Sequence, residues 1–122
     1  MILGKKGLHM DQASFLADIV YGETQPVITP LITNDFTKEI RIVFRAGQSM
    51  KAHKTSFPIT VMIVQGCIGF GVAEERYELM AGDVVALEGN VMHELNAIES
   101  SIVRLSLHKA DSVARVNGVL KL

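Results

Sequence analysis

Two histidines, His53 and His93, are the residues of this 122-residue chain whose type and spacing best suit chemistry. Each lies in a segment of strand-like alternation shortly after a turn: Gly47 precedes His53 by six residues, and the Glu88-Gly89-Asn90 turn precedes His93. An imidazole titrates near neutral pH and is the commonest metal ligand. Two of them facing one concave, otherwise aliphatic interior would therefore mark either a small-molecule site, which needs only a few polar groups in an apolar cleft, or a metal site, which normally needs about three or four protein ligands. A third reading is that the two rings pair with each other or with Thr55 in a closed core and bind nothing.

The remaining chemically capable residues read more plainly. His9, near the N-terminus, and His108, beside Lys109, are expected at the surface. His93-Glu94-Leu95-Asn96-Ala97 begins like the zinc-protease pattern H-E-x-x-H, but its second histidine is missing and the segment alternates like a strand, so the match is accidental. Cys67 is the one cysteine and sits in the apolar run Cys67-Ile68-Gly69-Phe70, where a thiol behaves as a small hydrophobe. Arg41 and Arg45, with Arg104, offer bidentate donors to a carboxylate or phosphate, yet alternation sets them opposite Ile40, Ile42 and Phe44, which predicts a solvated outer face. Glu88 is placed at the pocket mouth as a solvated turn carboxylate. The six methionines read as packing, with Met92 bordering the pocket.

The elements that must position the histidines follow from periodicity. Leu8, Phe15, Leu16, Ile19 and Val20 recur at helical spacing, with Asp11 near the start and Tyr21-Gly22 at the end, which predicts one short helix. From Pro26 onward the period becomes two. Ile40, Ile42 and Phe44 alternate with Arg41, Val43 and Arg45, and further short extended runs cover residues 50–55, 59–65, 68–72, 77–79, 84–87, 93–97 and 101–108, separated by short turns. Phe57-Pro58 interrupts the series, because proline cannot donate to a ladder. Short strands at regular spacing without intervening helices predict an antiparallel sandwich or barrel. The expected layout is one domain: a helix and extended arm over residues 1–36, a barrel over 37–109 and a tail over 110–122.

Composition bounds the function. Twelve basic residues against 13 acidic ones, with no basic run, offer too few phosphate contacts for nucleic-acid binding. The longest apolar stretch is far shorter than a membrane span. A hydrophobic fraction of 48% excludes disorder. A single cysteine, and an N-terminus without an apolar core long enough for a secretory signal, predict a reducing cytoplasm.

The stretch from Gly47 to Ala97 resembles the two-motif signature of the cupin superfamily, G-x5-H-x-H-x3/4-E-x6-G followed by G-x5-P-x-G-x2-H-x3-N. Gly47, His53 and Gly66 match the first motif, while Thr55 stands at its second histidine and Ile59 at its glutamate. Gly82 and His93 match the second, while Glu88, Asn90 and Ala97 replace its proline, glycine and asparagine. The resemblance implies an all-β, cupin-type double-stranded β-helix, a jelly-roll barrel preceded here by the short helix and arm. It also implies a pocket formed by His53, Thr55, Ile59, Val61, His93 and Leu95, with Phe44, Ile63 and Leu105 as further lining, and His53 and His93 as the surviving ligands for zinc, nickel, copper, iron or manganese. Two functions follow: a barrel that binds a small organic molecule between the histidines, or a metal-dependent oxygenase, isomerase or lyase. Small cupins commonly pair through N-terminal strands, so the β-branched arm around residues 27–33 implies a homodimer.

Overall fold

The computed structural model describes residues 9–108. Among them run nine strands: β1 (Val27–Thr33), β2 (Thr37–Phe44), β3 (Ser49–His53), β4 (Ile59–Gln65), β5 (Cys67–Val72), β6 (Glu75–Met80), β7 (Val84–Leu87), β8 (His93–Ala97) and β9 (Ser101–His108). Every ladder is antiparallel, and the strands form a five-stranded sheet in the order β1-β2-β9-β4-β7 and a four-stranded sheet in the order β3-β8-β5-β6. Only β1–β2 and β5–β6 are hairpins within one sheet; every other connection carries the chain to the opposite sheet. That winding is a jelly roll, which the resemblance implied and which falls within the antiparallel sandwich or barrel expected from the turn pattern.

Strand alternation fills the space between the sheets. On β4, Ile59, Val61 and Ile63 are buried while Thr60 and Met62 are less so, and on β8 the buried positions are His93, Leu95 and Ala97. Phe44, Ile63, Ile68 and Phe70 lose essentially all contact with solvent. The tightest turn joins β4 to β5 at Gly66. Its φ is +98°, and a Cβ there would lie 2.3 Å from the Ser101 Oγ and 2.4 Å from the Ser100 carbonyl oxygen, so glycine alone fits. Ser101 occupies that space, accepting a hydrogen bond from the Cys67 amide at 2.9 Å.

The helix predicted near the N-terminus is not formed; the described residues contain no helix. Leu16 and Val20, two members of the helical stripe, are 58% and 62% exposed, and Asp18 adopts φ 53°, which a right-handed helix does not admit. Residues 14–25 instead lie as a strap on the outer side of the five-stranded sheet. Arg41 Nη1 donates to the Ala17 carbonyl at 2.7 Å, Arg45 Nε and Gln48 Nε2 donate to the Gly22 carbonyl at 2.8 and 3.0 Å, and the guanidinium groups of Arg45 and Arg104 sit over the rings of Tyr21 and Phe15. These backbone carbonyls, which a helix would have used internally, are taken by arginines of β2 and its following turn. Asp11, expected to start the helix, accepts from Asn34 Nδ2 at 2.8 Å. The expectation of a solvated Arg41 also fails: the strap leaves it only 6% exposed. The tail over residues 110–122 lies outside the described residues, as do residues 1–8. No helix among the described residues is long and apolar enough to cross a membrane.

Candidate functional site

His53 and His93 meet inside one end of the barrel. They are direct cross-strand partners on β3 and β8, and their ring centroids are 4.4 Å apart at an interplanar angle of 57°. Simple alternation would not bring them together. On β8, His93 and Leu95 share the inner face, and Leu95 faces Met50 on β3; counting in twos from Met50 would turn Ala52 inward and His53 outward. A bulge between Met50 and His53 inserts an extra residue and restores His53 to the interior.

Both imidazoles are held in the same way. His53 Nδ1 lies 2.8 Å from the Lys51 carbonyl oxygen, and His93 Nδ1 lies 2.9 Å from the Val91 carbonyl oxygen, in each case two residues back. A carbonyl only accepts, so each Nδ1 carries the proton, and a neutral ring then keeps its lone pair on Nε2. Burial drives the His93 pKa below the ordinary imidazole value; the hydrogen bond to Val91 opposes this shift and the nearby His53 ring adds to it. His93 is only 4% exposed and stacks at 6.0 Å on the ring of Phe70, which fixes its plane. With Nδ1 donating to a carbonyl, the Nε2 of each neutral ring is left as an acceptor.

Between the rings and the aliphatic wall lies a cavity of about 20 Å³ lined by Met50, His53, Val61, His93 and Leu95, with Ile42, Val103 and Leu105 completing it. His93 also borders a more open hollow of about 260 Å³ at the barrel rim, with Val72, Ala73, Arg76, Met92 and Glu94 around it. Arg76 and Glu94 are ion-paired there. Of the residues singled out from the sequence, the structure brings His53, His93, Val61, Leu95 and Leu105 together, and Met92 borders the outer hollow. Thr55 and Ile59 line neither space. The Thr55 hydroxyl donates to the Phe57 carbonyl at 2.9 Å, holding the turn after β3, and Ile59 is buried in the core opposite Leu87 and Leu107. Phe44 and Ile63 are core residues beyond the cavity. Glu88 lies outside the lining of both spaces. Sequence reading missed Met50, Ile42 and Val103 as lining; Ile42 follows from the alternation of β2, whereas Met50 is hidden by the bulge.

This arrangement has clear relatives in shape. An RmlC-like cupin from Desulfovibrio desulfuricans superposes with a TM-score of 0.77 at 16% identity, covering 83% of this chain and 98% of its own. A cupin superfamily protein from Desulfitobacterium hafniense gives 0.70 at 16% identity over 84% and 95% of the two chains. The chain has the cupin fold. KdgF from a Halomonas species is similar as well, with a TM-score of 0.66 at 18% identity over 83% of this chain and 88% of that one. No protein-family model matches the sequence, and no curated protein matches it.

The donor set of this cupin barrel does not fit the divalent metal that the resemblance implies. Ile59 has no lone pair, the Thr55 hydroxyl is spent on a backbone carbonyl, and among the described residues no three His, Cys, Asp or Glu side chains converge on one point. Two imidazoles fall short of the roughly three or four protein ligands that such a centre normally has. Cys67, the first residue of β5, is buried, and burial, followed by the charges of Glu78 and Glu99, pushes its thiol pKa up, as expected of an inert residue.

Proposed function

We propose that this cupin-fold protein binds a small polar organic molecule at the rim of the barrel, with the His53–His93 pair as the recognition element. The observation that carries the reading is the pair of Nδ1-to-carbonyl hydrogen bonds. They leave both rings as acceptors, so the ligand must bring donors: hydroxyl or amino groups close together on one end. The inner cavity of about 20 Å³ has room for about one water-sized group. Only such a group fits between the rings, and we place the body of the ligand in the outer hollow of about 260 Å³, against Met92 and Val72 and near Arg76 and Glu94, whose one lining residue in common with the inner cavity is His93. An apolar lining with a few convergent polar atoms is the usual form of a small-molecule site.

The test is a thermal-shift screen of vicinal diols, amino alcohols and sugars, followed by calorimetric titration of each hit into the wild type and His93→Leu. The expected result is stabilisation of the wild type alone. Equal stabilisation of both proteins would remove the histidine pair from the site. We further propose that two copies pair along β1, an edge strand of the five-stranded sheet whose Ile28 is 55% exposed; light scattering at micromolar concentration giving a monomer mass would refute this.

A further inference from the structure

The outer face of the four-stranded sheet holds a separate hollow of about 280 Å³, lined by Gly69, Arg76, Tyr77, Glu78, Asn96 and Ile98. Arg76 is its one lining residue in common with the hollow at the rim. On β5, Ile68 and Phe70 belong to the core, so Gly69 and Gly71, which alternate with them, face outward. Each glycine is the middle of a row across three strands: Glu94, Gly71 and Arg76 in one, Asn96, Gly69 and Glu78 in the next. The rows differ in what covers the glycine. Over Gly71 lies the ion pair of Arg76 and Glu94, and a Cβ there would sit 2.8 Å from Arg76 Nη1 and 3.0 Å from Glu94 Cγ. Beyond its chain neighbours, a Cβ on Gly69 would meet nothing closer than 3.7 Å, and the Gly69 backbone is not left-handed.

The fold therefore requires glycine at position 71 and not at position 69. Glycine within a strand weakens it, through backbone freedom and a missing side chain, and where packing gives no reason for one it marks a close approach by something else. The row at Gly71 shows what this face accepts on a bare strand: a planar guanidinium held by a carboxylate. The row at Gly69 has the carboxylate without the guanidinium, since Glu78 is in no ion pair among the described residues. On the other side of Gly69, Asn96 Oδ1 accepts from Ser49 Oγ at 2.9 Å and keeps a second lone pair. Ile98, 50% exposed, adds an apolar wall. A guanidinium suits all of these, being flat enough to lie on the Gly69 peptide and forked to match the Glu78 carboxylate, with an N–H left for Asn96. We propose that this hollow binds a small guanidinium compound, its head over Gly69 and against Glu78 as Arg76 lies over Gly71 and against Glu94, and its aliphatic stem on Ile98.

Agmatine is titrated into the isotope-labelled 122-residue chain and followed by NMR amide shifts, with cadaverine, an ammonium of similar reach, in parallel. Expected are shifts centred on Gly69, Glu78, Asn96 and Ile98, and binding of cadaverine at least about tenfold weaker, because an ammonium is neither flat nor forked. Glu78→Gln is expected to weaken agmatine by at least about tenfold. Gly69→Ala is expected to fold, because its Cβ has room, and to bind more weakly, because the methyl group lifts the guanidinium off its floor. Glu99→Gln removes an equal charge outside the lining and is expected to bind like the wild type. N-acetyl-arginine amide stands in for an arginine of a protein chain and is expected to bind more weakly than agmatine, since its amide groups find no partner at Ile98. No shift at millimolar agmatine, shifts centred elsewhere, equal binding of cadaverine, or wild-type affinity in Glu78→Gln or Gly69→Ala would each overturn the site. A loss in Glu99→Gln as large as that in Glu78→Gln would reduce it to a diffuse acidic field, and tighter binding of N-acetyl-arginine amide would overturn the small ligand in favour of a protein partner.

Discussion

The interior of the barrel has two ends built by the same strands and finished differently. At one end Phe44, Ile63, Ile68 and Val103 interdigitate around the β4–β5 turn, with Gly66, Cys67 and Ser101 closing it. At the other, the same sheets enclose a small void between two imidazoles and a thioether. The difference lies in β3. There a bulge re-aims His53 into the interior and leaves a small void beside it, whereas the irregularity between Ile63 and Gln65 at the other end leaves Ile63 and Val103 fully buried. On the proposed function, the solid end would carry most of the stability and the other end the recognition.

The comparison is broken most severely by damaging the solid end. Gly66→Ala forces a side chain onto a backbone with φ of +98° and into the Ser100 carbonyl oxygen at 2.4 Å. Left-handed strain and overpacking together cost about 3 kcal/mol or more, so the variant is expected to be largely insoluble or to melt well below the wild type. Ile63→Ala, at a fully buried position, is expected to cost about 2–5 kcal/mol, whereas Met50→Leu at the hollow end should cost less than about 1.5 kcal/mol. Urea denaturation measures both. Equal losses would show that the two ends are energetically alike.

What could be read in the sequence divides along the same line. Glycine turns at Gly47, Gly66 and Gly82, and the alternation of Ile59, Val61 and Ile63, are local signals of period two, and they placed the strands and the solid core. The convergence of His53 and His93 was legible only through the resemblance, because the bulge that produces it has no mark in composition. For the same reason Met50 passed as packing. Thr55 and Ile59 were placed in the pocket by alignment to motif positions, yet the turn after β3 takes the Thr55 hydroxyl for its own carbonyl. The N-terminal helix failed for a different reason: the apolar spacing over residues 15–20 was real, but the carbonyls were claimed by Arg41 and Arg45, a tertiary interaction that local periodicity cannot register.

Acid should separate the ends without mutation. Burial lowers the folded-state pKa of His93, so the unfolded chain takes up that proton first. Its contribution to stability is then full above the unfolded imidazole value and declines as pH falls from there through the lower, folded value. Denaturation midpoints measured from neutral to mildly acidic pH are expected to fall in the wild type. They should fall less steeply in His93→Leu, in which the solid end is unchanged. Parallel slopes for the two proteins would place the acid sensitivity elsewhere in the fold.

The smallest expected effect on stability carries the most information about recognition. Val61 faces the interior from β4 and lines the void of about 20 Å³, so Val61→Ile adds one methylene where there is room for about one water-sized group. The extra burial favours folding by about 0.8 kcal/mol, and any residual crowding opposes it, so the melting temperature should stay within a few degrees of the wild type. The ligand, in contrast, loses the space for its donor group between the rings. Thermal-shift and calorimetric measurements on this variant therefore test the division of labour directly. A protein as stable as the wild type that no longer responds to ligand means the void is the recognition site. A variant that still binds would place recognition entirely in the outer hollow, against Met92 and Arg76, and would leave the histidine pair as core.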